Sequence, residues 1–484
     1  MTKQEAAIKY ITENYLDFNR LRHDIVADKL QVRIAHSLED ASLQNAPEGL
    51  QFRGSEYWRE MTKHDINSIV CHCAQEYDAN ITSREVMTAL QSDLIPDVHP
   101  LREYVFSCGE WTEEQPDWID FVASQVRVRE SATDRCEAPV DRHSVAVDGR
   151  SAAPVVFHNE STASNASELQ CSASETNYSE ATHSLQSERS EADRLWRVCF
   201  KKWFVAMVAS WMKDEVVNHQ VLVLIGRQGI FKTTWLEHLI PPHLRAYACK
   251  LANSNDLNKD ERLRIAEFGL ISLDEIDSMN NRELNQLKSV ITATDVNERA
   301  AYAYTKERRV RLASFCASGN RRDFLTDITG NRRWLPFEVE EIQNPFYTTL
   351  PYERMYAQAW ALAQDPLFSY WFDLDEIEVL EEHNQHFRDE SNEEQLLPIL
   401  FDVPAEGRGE FMTTAQISER LVTYGNIKKP MALGRLGVLM GSMGYRSVTR
   451  GNRQARLRGW IVYQRDTEEI AANKKLLAKE CVTV

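Results

Sequence analysis

Between residues 221 and 235 the chain reads VLVLIGRQGIFKTTW, and no other stretch constrains the fold as much. Five consecutive apolar residues without alternation describe a strand buried on both faces, the kind found in parallel sheets clad by helices. A loop with glycines at 226 and 229 follows, and a helix opens near Lys232. Strand, glycine loop and helix in that order make a P-loop, whose backbone N–H groups and helix start surround phosphates. In it Lys232 would neutralise the β- and γ-phosphates and Thr233 would offer its hydroxyl to magnesium. The expected nucleotide contacts are Gly226, Arg227, Gln228, Gly229, Ile230, Phe231, Lys232, Thr233 and Thr234. Gly226, Lys232 and Thr233 satisfy GxxxxGK[ST], but Phe231 stands where the second glycine belongs. Its side chain either crowds the phosphates or turns outward while Gly229 supplies the flexible position.

Two further elements fit the same chemistry. FGLISLDEIDSM (268–279) is a short apolar strand ending in Asp274 and Glu275. Asp274 suits the magnesium shell and Glu275 the orientation and deprotonation of a water, with Asp277 a weaker candidate. A solvated Asp-Glu pair is the plain alternative. RLASFCASGN (311–320) is a second apolar strand, ending in Asn320, whose amide could position water against the γ-phosphate. A dozen residues on, Arg332 and Arg333 are candidates for an arginine finger reaching a neighbouring subunit's nucleotide, against a reading as solubilising surface charge.

The ordered motifs GRQGIFKTTW, ISLDEID, ELNQLKSVIT, NERAAY, KERR, SFCASGN and TGNRRWLPFEV resemble the virulence-associated E family of mobile-element and phage proteins over roughly residues 195–390. Members of that family also carry an aromatic residue before the P-loop lysine. The resemblance implies an α/β fold with an AAA+-like ATPase core related to superfamily 3 helicases, acting on DNA as a homo-oligomer, most often a hexameric ring. It further implies that the hairpin between the two acidic and sensor strands grips single-stranded nucleic acid. Here that segment is VNERAAYAYTKERRVRL (296–312), with Arg299, Lys306, Arg308, Arg309 and Arg311 interleaved with Tyr302 and Tyr304. The bland reading is an edge hairpin whose charges block aggregation. Family members often carry a primase module, and none is legible in this chain, so a separate primase is a possible partner.

Around the core, residues 1–130 read as a mainly helical accessory domain with a small hairpin at 24–33. Within it, 64–77 and the capping box Thr82-Ser83-Arg84-Glu85 suggest two helices, either a helix-turn-helix or ordinary packing. Residues 131–193, dense in Ser, Thr and Glu, read as a disordered linker. Trp196, Phe200, Phe204, Val208 and Trp211 then form one stripe of a core helix. The ATPase core is placed at 194–345, a helical extension at 346–400 and a winged-helix-like DNA-binding domain at 401–484.

The 484-residue chain has a net charge of −17, so nucleic acid must find a local basic surface. Residues 428–465 supply one, with nine basic residues and no acidic one. Two helices followed by two strands turning at 450–453 make Arg450, Arg453 and Arg456 the expected duplex contacts. Nine cysteines in no regular framework argue against an oxidised scaffold, and Cys71-His72-Cys73 lacks the further ligands a metal would need. No apolar run approaches the roughly 18 residues that span a bilayer, so the cytoplasm is the expected compartment. These readings favour an ATP-hydrolysing, magnesium-dependent DNA translocase or helicase that replicates or mobilises a genetic element. The alternative is a nucleotide-switched DNA-binding regulator or assembly factor with little turnover.

Overall fold

The computed structural model describes residues 2–34, 57–77, 80–129, 190–251, 259–298, 307–325, 331–404, 409–451, 456–471 and 473. Nearly all of the expected linker lies outside them, as do Arg299, Lys306 and Arg453.

Helix α1 (Lys3–Ile11) precedes the expected hairpin, β1 (Leu21–Asp24) and β2 (Lys29–Ile34). β3 (Tyr57–Glu60) joins β2, and after α2 (Lys63–Tyr77) and α3 (Ser83–Leu90) the two-residue β4 (Asp97–Val98) joins β1 in parallel. The described residues of the N-terminal region are mostly helical, as expected, but the small hairpin is extended into a four-stranded sheet of order β3-β2-β1-β4. Two of its strands are too short to leave a periodic pattern. The capping box at Thr82 and Glu85 forms as read. α2 and α3 pack with α1 around Ala6, Ile69, Cys73 and Val86, which is ordinary helical packing. Cys73 is buried in it while Cys71 is exposed.

The next elements, α4 (Pro100–Ser107), α5 (Trp118–Ala123) and β5 (Val126–Val128), were grouped with the accessory region by sequence. They belong to the central core: Leu101, Ile119 and Val122 share a cluster with the central helix, and β5 pairs antiparallel with the edge of the main sheet. That central helix, α6 (Glu191–Met212), is opened by the Ser190 hydroxyl, which accepts from the Asp193 N–H. The predicted stripe is fully buried, but so are Trp203, Val205, Met207 and Ala209, because the sheet, α5 and the later helix Tyr352–Gln364 all pack against it. Each buried valine, phenylalanine or methionine among them contributes roughly 1.5–3 kcal/mol by leaving water. Its tryptophans also reach the sheet: Trp203 Nε1 donates to the Phe315 carbonyl at 3.1 Å and Trp211 Nε1 to that of Gly269 at 3.1 Å. A Cβ on Gly269 would sit 2.9 Å from the Trp211 ring, so this approach needs glycine.

The main sheet comprises β6 (Val221–Ile225), then, after α7 (Lys232–His238), β7 (Ala248–Leu251); α8 (Lys259–Glu267) and β8 (Leu270–Leu273) follow. Past α9 (Asn281–Thr292) come the antiparallel pair β9 (Asp295–Glu298) and β10 (Glu307–Val310), then β11 (Ser314–Gly319) and β12 (Trp334–Ile342). Its order is β5-β12-β6-β11-β8-β7, parallel except for β5. The strand pattern sorts onto two cores, with Leu222 and Leu224 facing α6 and Val221, Val223 and Ile225 facing α8 and α9. Chain order and strand order part company at β6, whose successors are far-edge β7, then β8 and β11 on one side and β12 on the other. Crevices at such switch points lie beyond the carboxyl ends of the strands.

α10 (Tyr352–Gln364) packs on α6, and α11 (Leu374–Gln385) follows it. α12 (Asn392–Leu400), expected in the helical extension, instead shares a core with the C-terminal unit through Leu397 and Leu400. That unit adds β13 (Phe401–Asp402), β14 (Glu410–Met412), α13 (Thr414–Gly425), α14 (Leu433–Ser442), β15 (Arg446–Gly451) and β16 (Arg456–Gln464). No described helix is long and apolar enough to cross a membrane.

Candidate functional site

The parallel strands bring the sequence motifs to one edge. Ile225, Gly319 and Leu273 end β6, β11 and β8 side by side, so the P-loop, Asn320 and Asp274 emerge together. The loop runs from buried Gly226 through exposed Arg227, Gln228 and Gly229 to half-buried Ile230. A Cβ on Gly226 would meet the Val339 carbonyl oxygen at 2.6 Å, which excludes every other residue there. Gly229 (φ +86°) and Phe231 (φ +67°) are both left-handed. Phe231 thus takes the backbone conformation that glycine would hold, at a cost of about 1–3 kcal/mol, and its ring lies edge-to-face with Phe346 at 6.4 Å.

Lys232 is 7% exposed. Its Nζ donates to the carbonyls of Gly226 (2.8 Å) and Arg227 (2.7 Å) and to Asn320 Oδ1 (3.3 Å). Burial holds its pKa below the ordinary lysine value, against the pull of Asp277 and Asp274. Thr233 Oγ1 donates to Asp274 Oδ1 at 3.2 Å and lies 2.9 Å from Ser318 Oγ, which itself donates to Asp274 Oδ1 at 2.8 Å. The other oxygen of Asp274 pairs with Lys250 Nζ at 2.8 Å. Burial works to raise the Asp274 pKa, but the Lys250 ammonium and the Ser318 and Thr233 hydroxyls outweigh it and keep the carboxyl below its usual value. Thr234 is half-buried on the first turn of α7.

Three of these side chains were missed or undervalued by motif reading. Ser318 stands two residues before Asn320 and so shares its strand face, a signal that was available. Lys250 sits on edge strand β7 within no motif, and only the sheet order brings it to Asp274. Asp277 accepts the N–H groups of Asn320 (3.1 Å) and Arg321 (3.2 Å), which fixes the turn carrying the amide. Gly319 leaves room for it, since a Cβ there would stand 2.9 Å from Asp277 Oδ1. Glu275 is exposed and left-handed (φ +52°), which turns the chain sharply at the strand end.

The arginines are not brought to this edge. Arg332 and Arg333 lie in a 3₁₀ turn just before β12, whose Trp334 pairs with Val221 at the opposite end of β6. Four strand steps of about 3.3 Å put them roughly 13 Å away along the strand, beyond reach of the phosphates on their own P-loop.

Of the basic hairpin, the described residues are its base. Arg308 pairs with Asp295 at 2.6 Å, and Arg309 with Asp28 of the N-terminal hairpin at 2.7 Å and Glu267 at 3.6 Å. Arg311, expected among the residues that face nucleic acid, is instead fully buried and structural. It donates to the carbonyls of Ala313 (3.0 Å), Asn218 (2.8 Å) and Ile291, and thereby closes the C-terminal end of α9. In the C-terminal unit Arg450 and Arg456 are exposed on β15 and β16, with the Arg450 guanidinium 4.7 Å over the Phe411 ring. Arg465, from the same basic stretch, is tied to Asp402 and the Pro398 carbonyl.

Residues 175–393 match the model of the virulence-associated protein E-like domain. The chain carries a virulence-associated protein E-like domain. The match contains the P-loop, both acidic and sensor strands and the arginine pair, so the resemblance drawn from the motifs is borne out. No curated protein matches the chain. Among solved structures, the apo C-terminal region of NrS-1 (residues 305–718) aligns with a TM-score of 0.42 and 9% identity, over 95% of this chain and 100% of that one. A second structure of that region, its A form, gives 0.40 and 9%, over 93% and 98%. At these scores the shared geometry is too slight for any residue or activity of this chain to be taken from it.

Proposed function

We propose that this protein is an ATP-hydrolysing, magnesium-dependent translocase or helicase that works on DNA during replication or mobilisation of a genetic element. The observation that carries the reading is the convergence of Lys232, Thr233, Asp274 and Asn320 at one sheet edge beyond a glycine loop. Their donor chemistry fits the implied ion: magnesium that arrives with phosphates takes only one or two protein carboxylates, here Asp274, beside the Thr233 hydroxyl. When bound, magnesium neutralises charge on the β- and γ-phosphate oxygens. Lys232 would exchange its two loop carbonyls for phosphate oxygens, retaining Asn320 as a neighbour. Asn320, held by Asp277, would orient a water, and Glu275 would accept its proton. Lys250 would leave Asp274 when a cation takes its place. Arg332 and Arg333, remote from their own loop, would serve the nucleotide of an adjacent copy, which supports a homo-oligomeric ring, most simply a hexamer. Single-stranded DNA would pass along the β9–β10 hairpin, with Arg308, Arg309, Arg299 and Lys306. The two helices and two-stranded ribbon of the C-terminal unit, read as a winged helix, would meet duplex DNA through Arg450, Arg453 and Arg456. The cytoplasm and a separately encoded primase complete the proposal.

The decisive test is ATP turnover with and without single-stranded DNA, in the intact protein and in Lys232→Ala. Turnover that is DNA-stimulated and abolished in the variant is expected, because the charge facing the β- and γ-phosphates is lost. Unchanged turnover in Lys232→Ala would remove the P-loop assignment.

A further inference from the structure

Beside the P-loop lies a group of aromatic rings with no part in the phosphate chemistry. Phe231, Thr234 and His238 are spaced three and four residues apart and share one side of α7. Phe346, on the loop that leaves β12, covers this side. Its ring centroid is 6.4 Å from that of Phe231 and 5.6 Å from the His238 imidazole, both nearly perpendicular. The turn is fixed from within by the Phe346 N–H, which donates to Asn344 Oδ1 at 3.0 Å, and the start of α10 just after the loop is tied to α7 by the Tyr352 hydroxyl, which donates to the His238 carbonyl at 2.7 Å. Even so, Phe346 remains 69% exposed and its neighbour Tyr347 89%. A ring fixed in position and left in water has apolar area available to a ligand.

The sheet order says which end of a nucleotide would arrive there. Asn320 and Asp274 follow β11 and β8, on one side of β6, and mark the γ-phosphate end. β12 and the loop after it lie on the other side of β6. A phosphate chain running from Lys232 back across the loop amides therefore delivers its sugar and base toward Thr234 and Phe346. We infer that Phe346 is the stacking platform for the base of the bound nucleoside triphosphate, an inference that rests on the P-loop reading. Phe231 and His238 support the ring from below. The shelf offers aromatic faces, which favour the larger purine over a pyrimidine through stacking area.

The test is calorimetric binding of MgATP, MgCTP and inorganic tripolyphosphate to the intact protein, Phe346→Ala and Phe346→Trp. Loss of the platform should weaken ATP by roughly 5- to 150-fold, the range for one stacked base, narrow the margin of ATP over CTP, and leave tripolyphosphate unchanged. Phe346→Trp should keep ATP affinity, with indole fluorescence quenched by ATP and not by tripolyphosphate. Unchanged ATP affinity in Phe346→Ala overturns the inference, whether or not self-association falls, and so does an equal loss of ATP and tripolyphosphate, which would mean that the loop itself had shifted. Intact protein that binds neither ligand, or Lys232→Ala that binds tripolyphosphate as tightly as the intact protein, fails the P-loop reading instead, so the two failures are separate.

Discussion

Placing Arg332 and Arg333 at the far end of β6 from the P-loop gives a quantitative expectation for mixed assemblies. Trp334 is in register with Val221, and the phosphates would lie beyond Ile225, so about 13 Å of strand separates the arginines from their own nucleotide. In the proposed ring, an active centre would need Lys232 from one copy and the arginine pair from the next. Lys232→Ala and the double variant Arg332→Ala, Arg333→Ala should each be inactive, the latter by about 10³-fold or more. In a mixture, a centre works only where an intact P-loop from the arginine variant meets an intact arginine pair from the lysine variant. For random assembly, that is a fraction x(1−x) of interfaces, so turnover should peak at equal amounts, near one quarter of the wild-type value per ring, roughly, for any closed ring. Steady-state ATPase measured across mixing ratios checks this, with co-assembly verified by pull-down of differently tagged variants. Variants that co-assemble but recover nothing at any ratio, together with a monomeric form at full turnover, would refute the reasoning and leave the arginines structural.

Glu275→Gln should keep equilibrium ATP binding and lower turnover by ~10²-fold or more; loss of binding without a change in rate per bound ATP would make Glu275 structural. Truncation before Gly407 should weaken duplex binding and flatten its dependence on salt while basal ATPase persists, since fewer counterions are released; identical affinity and slope would point to a protein-docking role for the basic segment. His99 caps α4 by accepting the Arg102 N–H, and burial, with Arg102 nearby, pushes its pKa down to about 4 from 6.5. The fold favours its neutral form, so stability is unaffected above about pH 6.5, falls as pH drops toward 4 by up to roughly 3 kcal/mol, and levels off below. Urea titrations of His99→Asn, which keeps a capping acceptor, should lose that slope; a slope that persists would assign the acid sensitivity to another group.

Local sequence sufficed wherever the chemistry lives within one strand and the turn after it. VLVLI is apolar throughout, and LISL and SFCASG are short, mainly apolar runs with no charged residue, so all three read as buried strands, and the residues that follow them, Gly226 to Thr233, Asp274 and Asn320, emerge together because parallel strands end together. The aromatic helix before β6 was equally legible, although its single stripe understated a burial that depends on α5 and the sheet closing around it. Tertiary structure alone decided the rest. Lys250 reaches Asp274 only because β7 docks beside β8, a pairing of residues 22 apart that no spacing encodes. Arg309 and Arg311 look alike within the run ERRVR (307–311), yet Arg311 is buried closing a helix end and Arg309 is paired across to Asp28 of the N-terminal hairpin. The three residues of β5 carry no pattern of their own, and they complete the main sheet because β12 offers them an edge and the cluster around Trp196 offers Val126 and Val128 a core. Strand pairing and burial are non-local free energies, so a short segment acquires its place only when its neighbours are already there.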